Sequence, residues 1–253
     1  MWLQLSDYKA GVGRIARKKH SVSGFLEIDI TDLKADVRKK IREGNNTSLL
    51  SRLIKIIGDT VSVHKDVHAC RIRRKLILFD TADISVPLER TVGETKVPLT
   101  LLVRRTDRKT AEEIKREIDE ALGQEIRSEK DYVLNNDKSR MLMGLFYRMP
   151  QMFRMIFWKS LLKHPFRMKN TMGTVMVTNI GLPGSVPGWI LPKTIHNLCF
   201  GIGTIVKKPW NYRGDIVLRD ILHLTVIFDH DIVDGAPAAR FIQDLVRHLE
   251  NPE

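Results

Sequence analysis

Apolar positions along the chain alternate between helical spacing and short β-branched runs. Leu33, Val37 and Ile41 share one face of a predicted helix over Thr31–Glu43, which Thr31 or Asp32 can cap and Gly44 stops. A second helix is predicted from Ser48 to about Val63, with Leu49, Leu50, Leu53, Ile54 and Ile57 inward. Lys75–Phe79, Asp83–Glu89 and Val97–Val103 read as strands, with Gly93 at a turn between the last two. Thr110-Ala111-Glu112-Glu113 is a capping box, opening a helix with Ile114, Ile118 and Leu122 in register. Polar residues 124–140 predict a surface loop. Thr174–Thr178, Asn197–Val206 and Leu222–Phe228 predict further strands, and the glycine- and proline-rich stretch 181–192 predicts sharp, buried turns. A final helix is predicted over Ala236–Leu249, with Pro237 in its first turn and Ala238, Ile242, Leu245, Val246 and Leu249 inward. Strands and helices interleave without a linker, so one α/β domain over residues 1–253 is the economical reading, residues 1–21 forming an N-terminal arm.

Residues 141–169 break this pattern. Methionines and aromatics from Met141 to Trp158 crowd together with Arg148, Arg154, Lys159 and Lys163, and Pro150 and Pro165 bound a predicted helix. Such an insert can lie on a membrane surface or line a tunnel for an acyl chain. A stripe of this kind more often packs on the core or another subunit with its cations snorkelling, and that reading is favoured.

Composition narrows the classes. Cys70 and Cys199 form no disulfide framework and no four-ligand zinc site, and no metal is expected. No run of about 18 uncharged apolar residues and no signal-like N-terminus is present, so a cytoplasmic location is expected. A net charge of +12 favours an anionic partner. The basic clusters Arg14–Lys19, Arg71–Lys75 and Arg104–Lys109 are short and dispersed, and no nucleic-acid partner is expected from them. Gly11-Val12-Gly13 and Gly201-Ile202-Gly203 do not continue as nucleotide fingerprints.

Chemistry concentrates in Phe228-Asp229-His230-Asp231-Ile232-Val233-Asp234-Gly235, where an apolar strand gives way to a helix. A histidine there can face a cleft and take a proton from a thiol or hydroxyl. Asp234 is placed to fix the turn, and Gly235 permits a close backbone approach. The same residues also fit a plain structural role, Asp234 as a helix cap and His230 as a buried, satisfied histidine. No serine or cysteine sits in a nucleophile elbow, so a covalent hydrolase has no support.

His-x-x-x-Asp-Gly before Ala-Pro-Ala-Ala-Arg-Phe resembles the signature of the acyltransferase component of 2-oxo acid dehydrogenase complexes, within the chloramphenicol acetyltransferase-like superfamily. Leu26-Glu27-Ile28-Asp29-Ile30-Thr31-Asp32-Leu33 is similar to that domain's first strand and helix. Gly173-Thr174-Val175-Met176-Val177-Thr178-Asn179-Ile180-Gly181 is similar to its Gly-Thr-x-x-x-Ser-Asn-x-Gly stretch. The resemblance covers most of residues 22–250. It implies an α/β, two-layer fold with a mixed β-sheet and flanking helices.

The resemblance also implies direct acyl transfer between coenzyme A and a dihydrolipoyl thiol or other small nucleophile, with acyl-CoA as substrate. His230 is then the general base. Thr178, 52 residues earlier, stands where the family has its oxyanion-stabilising serine. Asp234 would hold the turn through an N-terminal arginine, Arg14 or Arg17. A homotrimer is implied, alone or within a larger assembly, with His230 and Thr178 meeting across subunits. The chain is expected to be a stand-alone catalytic domain without lipoyl or peripheral-subunit-binding domains, hence without a covalently bound lipoyl group, and to meet a separate lipoyl-bearing protein. Asp231 departs from the family's usual arginine, and a carboxylate beside the base would raise the histidine's pKa. A non-catalytic trimeric scaffold is the alternative, and a membrane- or nucleic-acid-associated basic protein a third.

Overall fold

The computed structural model describes residues 19–92, 95–123, 163–179 and 187–252, together with 16, 133–134, 156, 160, 161. Among the described residues nine strands and five α-helices follow one another: β1 (Ser21–Asp29), α1 (Thr31–Arg42), α2 (Leu49–Val63), β2 (Cys70–Ile72), β3 (Lys75–Ile77), β4 (Ile84–Val92), β5 (Thr95–Val103), α3 (Ala111–Gly123), β6 (Val133–Leu134), α4 (Pro165–Met172), β7 (Val175–Asn179), β8 (Leu198–Tyr212), β9 (Asp215–Asp229) and α5 (Gly235–Glu250). Seven strands form one mixed sheet in the order β1-β9-β8-β7-β4-β5-β6, while β2 and β3 form a separate hairpin. β7 runs parallel to both of its neighbours, β4 and β8, and β9 runs antiparallel to β8 and β1.

The sheet's two faces differ. Val175 and Val177 of β7, Leu198, Phe200 and Ile202 of β8, and Leu222, Leu224, Val226 and Phe228 of β9 share one buried cluster with Leu33, Leu53, Ile54, Phe241 and Leu245 from the helices. Because side chains alternate along a strand, Met176, Thr178, Gly201 and Thr225 belong to the opposite face. A strap of residues 187–193 crosses that face. A Cβ on Gly201 would stand 2.7 Å from the Ile190 carbonyl oxygen, and one on Gly203 2.4 Å from that of Gly188. These glycines therefore serve close backbone approach.

The capping box expected at Thr110 forms at α3, and α2 carries a further one at Ser48, where the sequence reading has only a helix start. Ser48 and Ser51 exchange side-chain and backbone bonds at the start of α2, and Thr110 and Glu113 do so at α3. At α1 the expectation fails. Ile30 occupies the cap position, and the upstream Asp29 carboxylate accepts from both the Thr31 amide and hydroxyl. Ile41 is 51% exposed rather than inward. Leu122 is likewise exposed, its inward place taken by Ala121. Phe241, outside the predicted face of α5, is fully buried against Phe200 and Phe228. β3 lies outside the main sheet, and residues 133–134, within the predicted loop, pair with β5. Residues 187–193 are exposed or half-buried, not buried turns. Gly93, Pro150 and the predicted insert between 141 and 155 lie outside the described residues. No helix among the described residues is long and apolar enough to cross a membrane.

Two buried histidines flank the turn that leads into β7. His196 donates from Nε2 to the Met172 carbonyl (2.9 Å), so its Nδ1 accepts from the Thr194 hydroxyl (2.7 Å). His68 Nδ1 lies 3.0 Å from Thr174 Oγ1. Burial pushes both rings down to about 4. The unfolded chain therefore binds more protons than the folded one between about pH 6.5 and 4, and stability is lost as pH falls through that window. Urea denaturation at pH 7.5 and pH 5 should show it, the full loss reaching about 3 kcal/mol per ring. His196→Gln should flatten the pH dependence; an unchanged slope removes this ring from the account.

Candidate functional site

The sheet's antiparallel ladder continues one residue beyond β9. Ser21 pairs with Asp229, and the His230 amide then donates to the His20 carbonyl at 2.7 Å. This bond places His230 at the strand's mouth with its side chain exposed. The chain then turns sharply, because the Asp229 carbonyl accepts from the amides of Ile232 and Val233, both at 3.0 Å. Asp229 Oδ1 accepts from the Asp231 amide at 3.2 Å.

A buried cation fixes the near side of this turn. Lys19 Nζ lies 3.2 Å from Asp229 Oδ2, with both side chains largely shielded, and donates a short hydrogen bond to Asn197 Oδ1. Asn197 in turn donates to the Ala69 carbonyl at 2.6 Å and to Cys70 Sγ at 3.3 Å. Burial holds the Lys19 ammonium below the usual lysine range, with Asp229 opposing the shift. Burial pushes the Cys70 thiol up to about 11, so it is a poor nucleophile. On the far side, His20 Nδ1 lies 3.0 Å from Asp231 Oδ1, and Arg71 donates to the Asp231 carbonyl at 3.4 Å. Two consecutive residues, Lys19 and His20, thus bracket His230 from both flanks.

Sequence reasoning quoted Asp229 without giving it a role and passed over Lys19, His20 and Asn197. Lys19 closed one of the basic clusters, which was the available signal. The Asp231 carboxylate engages His20. Asp234 stands at the cap position of α5, but its side chain makes no capping bond. It is exposed, and no ion pair among the described residues reaches it. Arg14 and Arg17 lie outside the described residues.

Thr178 is half-buried near the end of β7. Its register partners are Gly201 of β8 and, across that strand, Thr225 of β9, whereas Val175 lines up with Leu198 and Phe228. Thr178 and His230 are thus five residues apart along the strands and two strands apart across them, roughly 19 Å at standard spacings. A single copy does not bring them together. Among the described residues no three His, Cys, Asp or Glu side chains converge to hold a metal ion. The described cavity, of about 620 Å³ between Arg52, Lys55, Arg247 and His248, lies at the far end of α5 from His230.

Residues 166–253 match the family described as 2-oxoacid dehydrogenases acyltransferase (catalytic domain). Over 84 residues, 33% of the chain, it is 34% identical to the dihydrolipoyllysine-residue acetyltransferase component of the pyruvate dehydrogenase complex of Acholeplasma laidlawii; the match takes in 15% of that protein's length. The structure superimposes on a probable dihydrolipoamide acetyltransferase from Listeria monocytogenes with a TM-score of 0.68, at 20% identity, over 97% of this chain and 91% of that one. The chain carries the fold of the 2-oxoacid dehydrogenase acyltransferase core.

That core fold extends to the Azotobacter vinelandii dihydrolipoamide acetyltransferase, whose catalytic mechanism has been studied through a serine, a histidine and an asparagine (TM-score 0.67, 17% identity, 98% of this chain and 88% of that one). Chloramphenicol acetyltransferase shares the fold more distantly, with a TM-score of 0.54 at 12% identity over 99% and 96% of the two chains. The acyltransferase-core likeness includes the strand, turn and helix around His230, all within the matched segment.

Removing one partner of the Lys19–Asp229 pair leaves the other charge buried alone. Asp229→Ala should therefore cost about 3 kcal/mol in urea denaturation. Combining it with Lys19→Met should return a good part of that loss. A double variant no more stable than Asp229→Ala disproves the pairing.

Proposed function

We propose that the protein is a coenzyme A-dependent acyltransferase that moves an acyl group between coenzyme A and a dihydrolipoyl thiol or another small nucleophile. The observation that carries this reading is the exposed His230 on a braced turn, with Thr178 roughly 19 Å away in the same copy. Thr178 sits on the sheet face that the helices leave uncovered. Each is half of a site, and a neighbouring copy supplies the other half, as in a homotrimer.

In the proposed reaction His230 takes the proton of the attacking thiol. The thiolate adds to the thioester carbonyl, and the Thr178 hydroxyl of the neighbouring copy donates to the oxyanion. Collapse of the tetrahedral intermediate breaks the original carbon–sulfur bond. The departing thiolate recovers the proton from His230, so one such bond forms and one breaks. Residue spacing supports the assignment. The serine, histidine and asparagine of the Azotobacter enzyme are separated by the same 52 and 4 residues as Thr178, His230 and Asp234. Asp234 stands where that enzyme has asparagine, and its role here is to hold the turn through a partner on the N-terminal arm.

Two variants test the shared site. His230→Ala should abolish acyl transfer, and Thr178→Ala should lower kcat by about 10²-fold. Co-expressed, the two inactive chains should regain up to about a quarter of wild-type activity, because some interfaces then hold an intact His230 facing an intact Thr178. No recovery in a mixed trimer refutes the split site. A stable trimer that binds coenzyme A without turnover identifies the scaffold alternative, which Asp231 and Thr178 motivate.

A further inference from the structure

The β2–β3 hairpin is the unusual surface near the candidate site. Arg71, Arg73, Arg74 and Lys75 fall within five residues and are all exposed. None has a carboxylate partner among the described residues. Elsewhere the cations are commonly paired, as in Lys34–Asp220, Lys65–Asp80 and Arg219–Asp29. Arg71 instead donates to two backbone carbonyls, Arg73 at 3.2 Å and Asp231 at 3.4 Å, which joins the hairpin to the residue after His230. Leu76 and Leu78 stand beside these cations, 53% and 54% exposed.

We propose that this hairpin is a docking surface for an acidic protein domain that delivers its acyl-accepting dihydrolipoyl arm to His230, an inference that rests on the acyl-transfer reading. The form of the surface selects the partner. A two-residue tip closes a three-rung ladder, and its cations are spread along an exposed hairpin. Arginine is among the residues that protein interfaces favour, and exposed Leu76 and Leu78 add apolar area beside it. Opposite charge across such a surface accelerates encounter and selects the partner, more than it adds affinity. The Arg71 contact ties this surface to the turn that carries His230, so a domain docked there would present its arm close to that turn.

The test uses the full chain and one triple variant, Arg73→Asn/Arg74→Gln/Lys75→Gln. Asparagine tolerates the left-handed backbone of residue 73 (φ 54°), so the turn is preserved. Arg71 is left intact. Acetyl transfer from acetyl-CoA is followed to an isolated dihydrolipoyl-bearing acidic domain and, separately, to free dihydrolipoamide. With the domain, kcat/KM should fall at least fivefold in the variant, and about 0.3 M salt should erase the difference. With free dihydrolipoamide the two proteins should agree within twofold. An equal loss with both acceptors, or no loss with either, overturns the docking proposal. If the wild type turns over neither acceptor, the acyl-transfer reading fails, and salt-sensitive binding of the domain decides docking separately: binding unaffected by the variant, or no binding, overturns it.

Discussion

One backbone hydrogen bond organises the site. By donating to the His20 carbonyl, the His230 amide extends the β1–β9 ladder into the turn. The imidazole is thereby carried by the most heavily paired part of the fold, not by a loose loop. A strand end alone would let the following residues fray. The Asp229 carboxylate prevents this by meeting a buried ammonium on one side and the Asp231 amide on the other. A buried charge pair is weak ground for stability, because desolvation offsets much of its attraction. Its value here is geometric: a paired Asp229 has one place to be, and so does the residue that follows.

The two faces of the sheet bear on the proposal that a single copy holds only half of a site. The helical face is closed by the apolar cluster reaching Phe241 and Leu245. The other face is covered in part by the 187–193 strap. Trp189 donates to the Leu26 carbonyl at 3.1 Å, and its ring rests on buried His223. The Gly188 amide donates to Thr204 at 2.9 Å. Glycines at 201 and 203 let this strap sit at backbone contact. Phe25, Trp189 and Leu191 nevertheless remain exposed. The Thr178 row thus lies on the face where apolar side chains are still uncovered, as the proposed split site requires.

Most of the fold was legible because each element has local grounds. Capping boxes at Ser48 and Thr110, and apolar periodicity in α2 and α5, arise within a few residues of one another. Legibility failed where the deciding partner is distant. The β8–β9 ribbon runs to 15 residues per strand, far beyond the predicted Asn197–Val206 and Leu222–Phe228. Its outer half carries Lys207, Lys208, Asp215 and exposed Ile216 and reaches no fully buried position, so the cross-strand ladder rather than core burial makes it strand. Asp29 capping Thr31 and serving Arg219 at once is likewise a tertiary arrangement. His230 was legible as a motif. Its brace was not, since Lys19 and Asp229 lie 210 positions apart.

That separation bears on Asp231. Read locally, a carboxylate beside a base threatens its chemistry. In the fold, successive side chains leave a tight turn in different directions, and Asp231 is directed to His20 while its carbonyl receives Arg71. The position for which the resemblance leads one to expect arginine thus holds an acid, while an arginine arrives at the same turn from the hairpin. The turn keeps a guanidinium near His230 but obtains it from an element that also projects into solvent. A cation supplied from there is shared between the turn and the hairpin, and so couples the two elements.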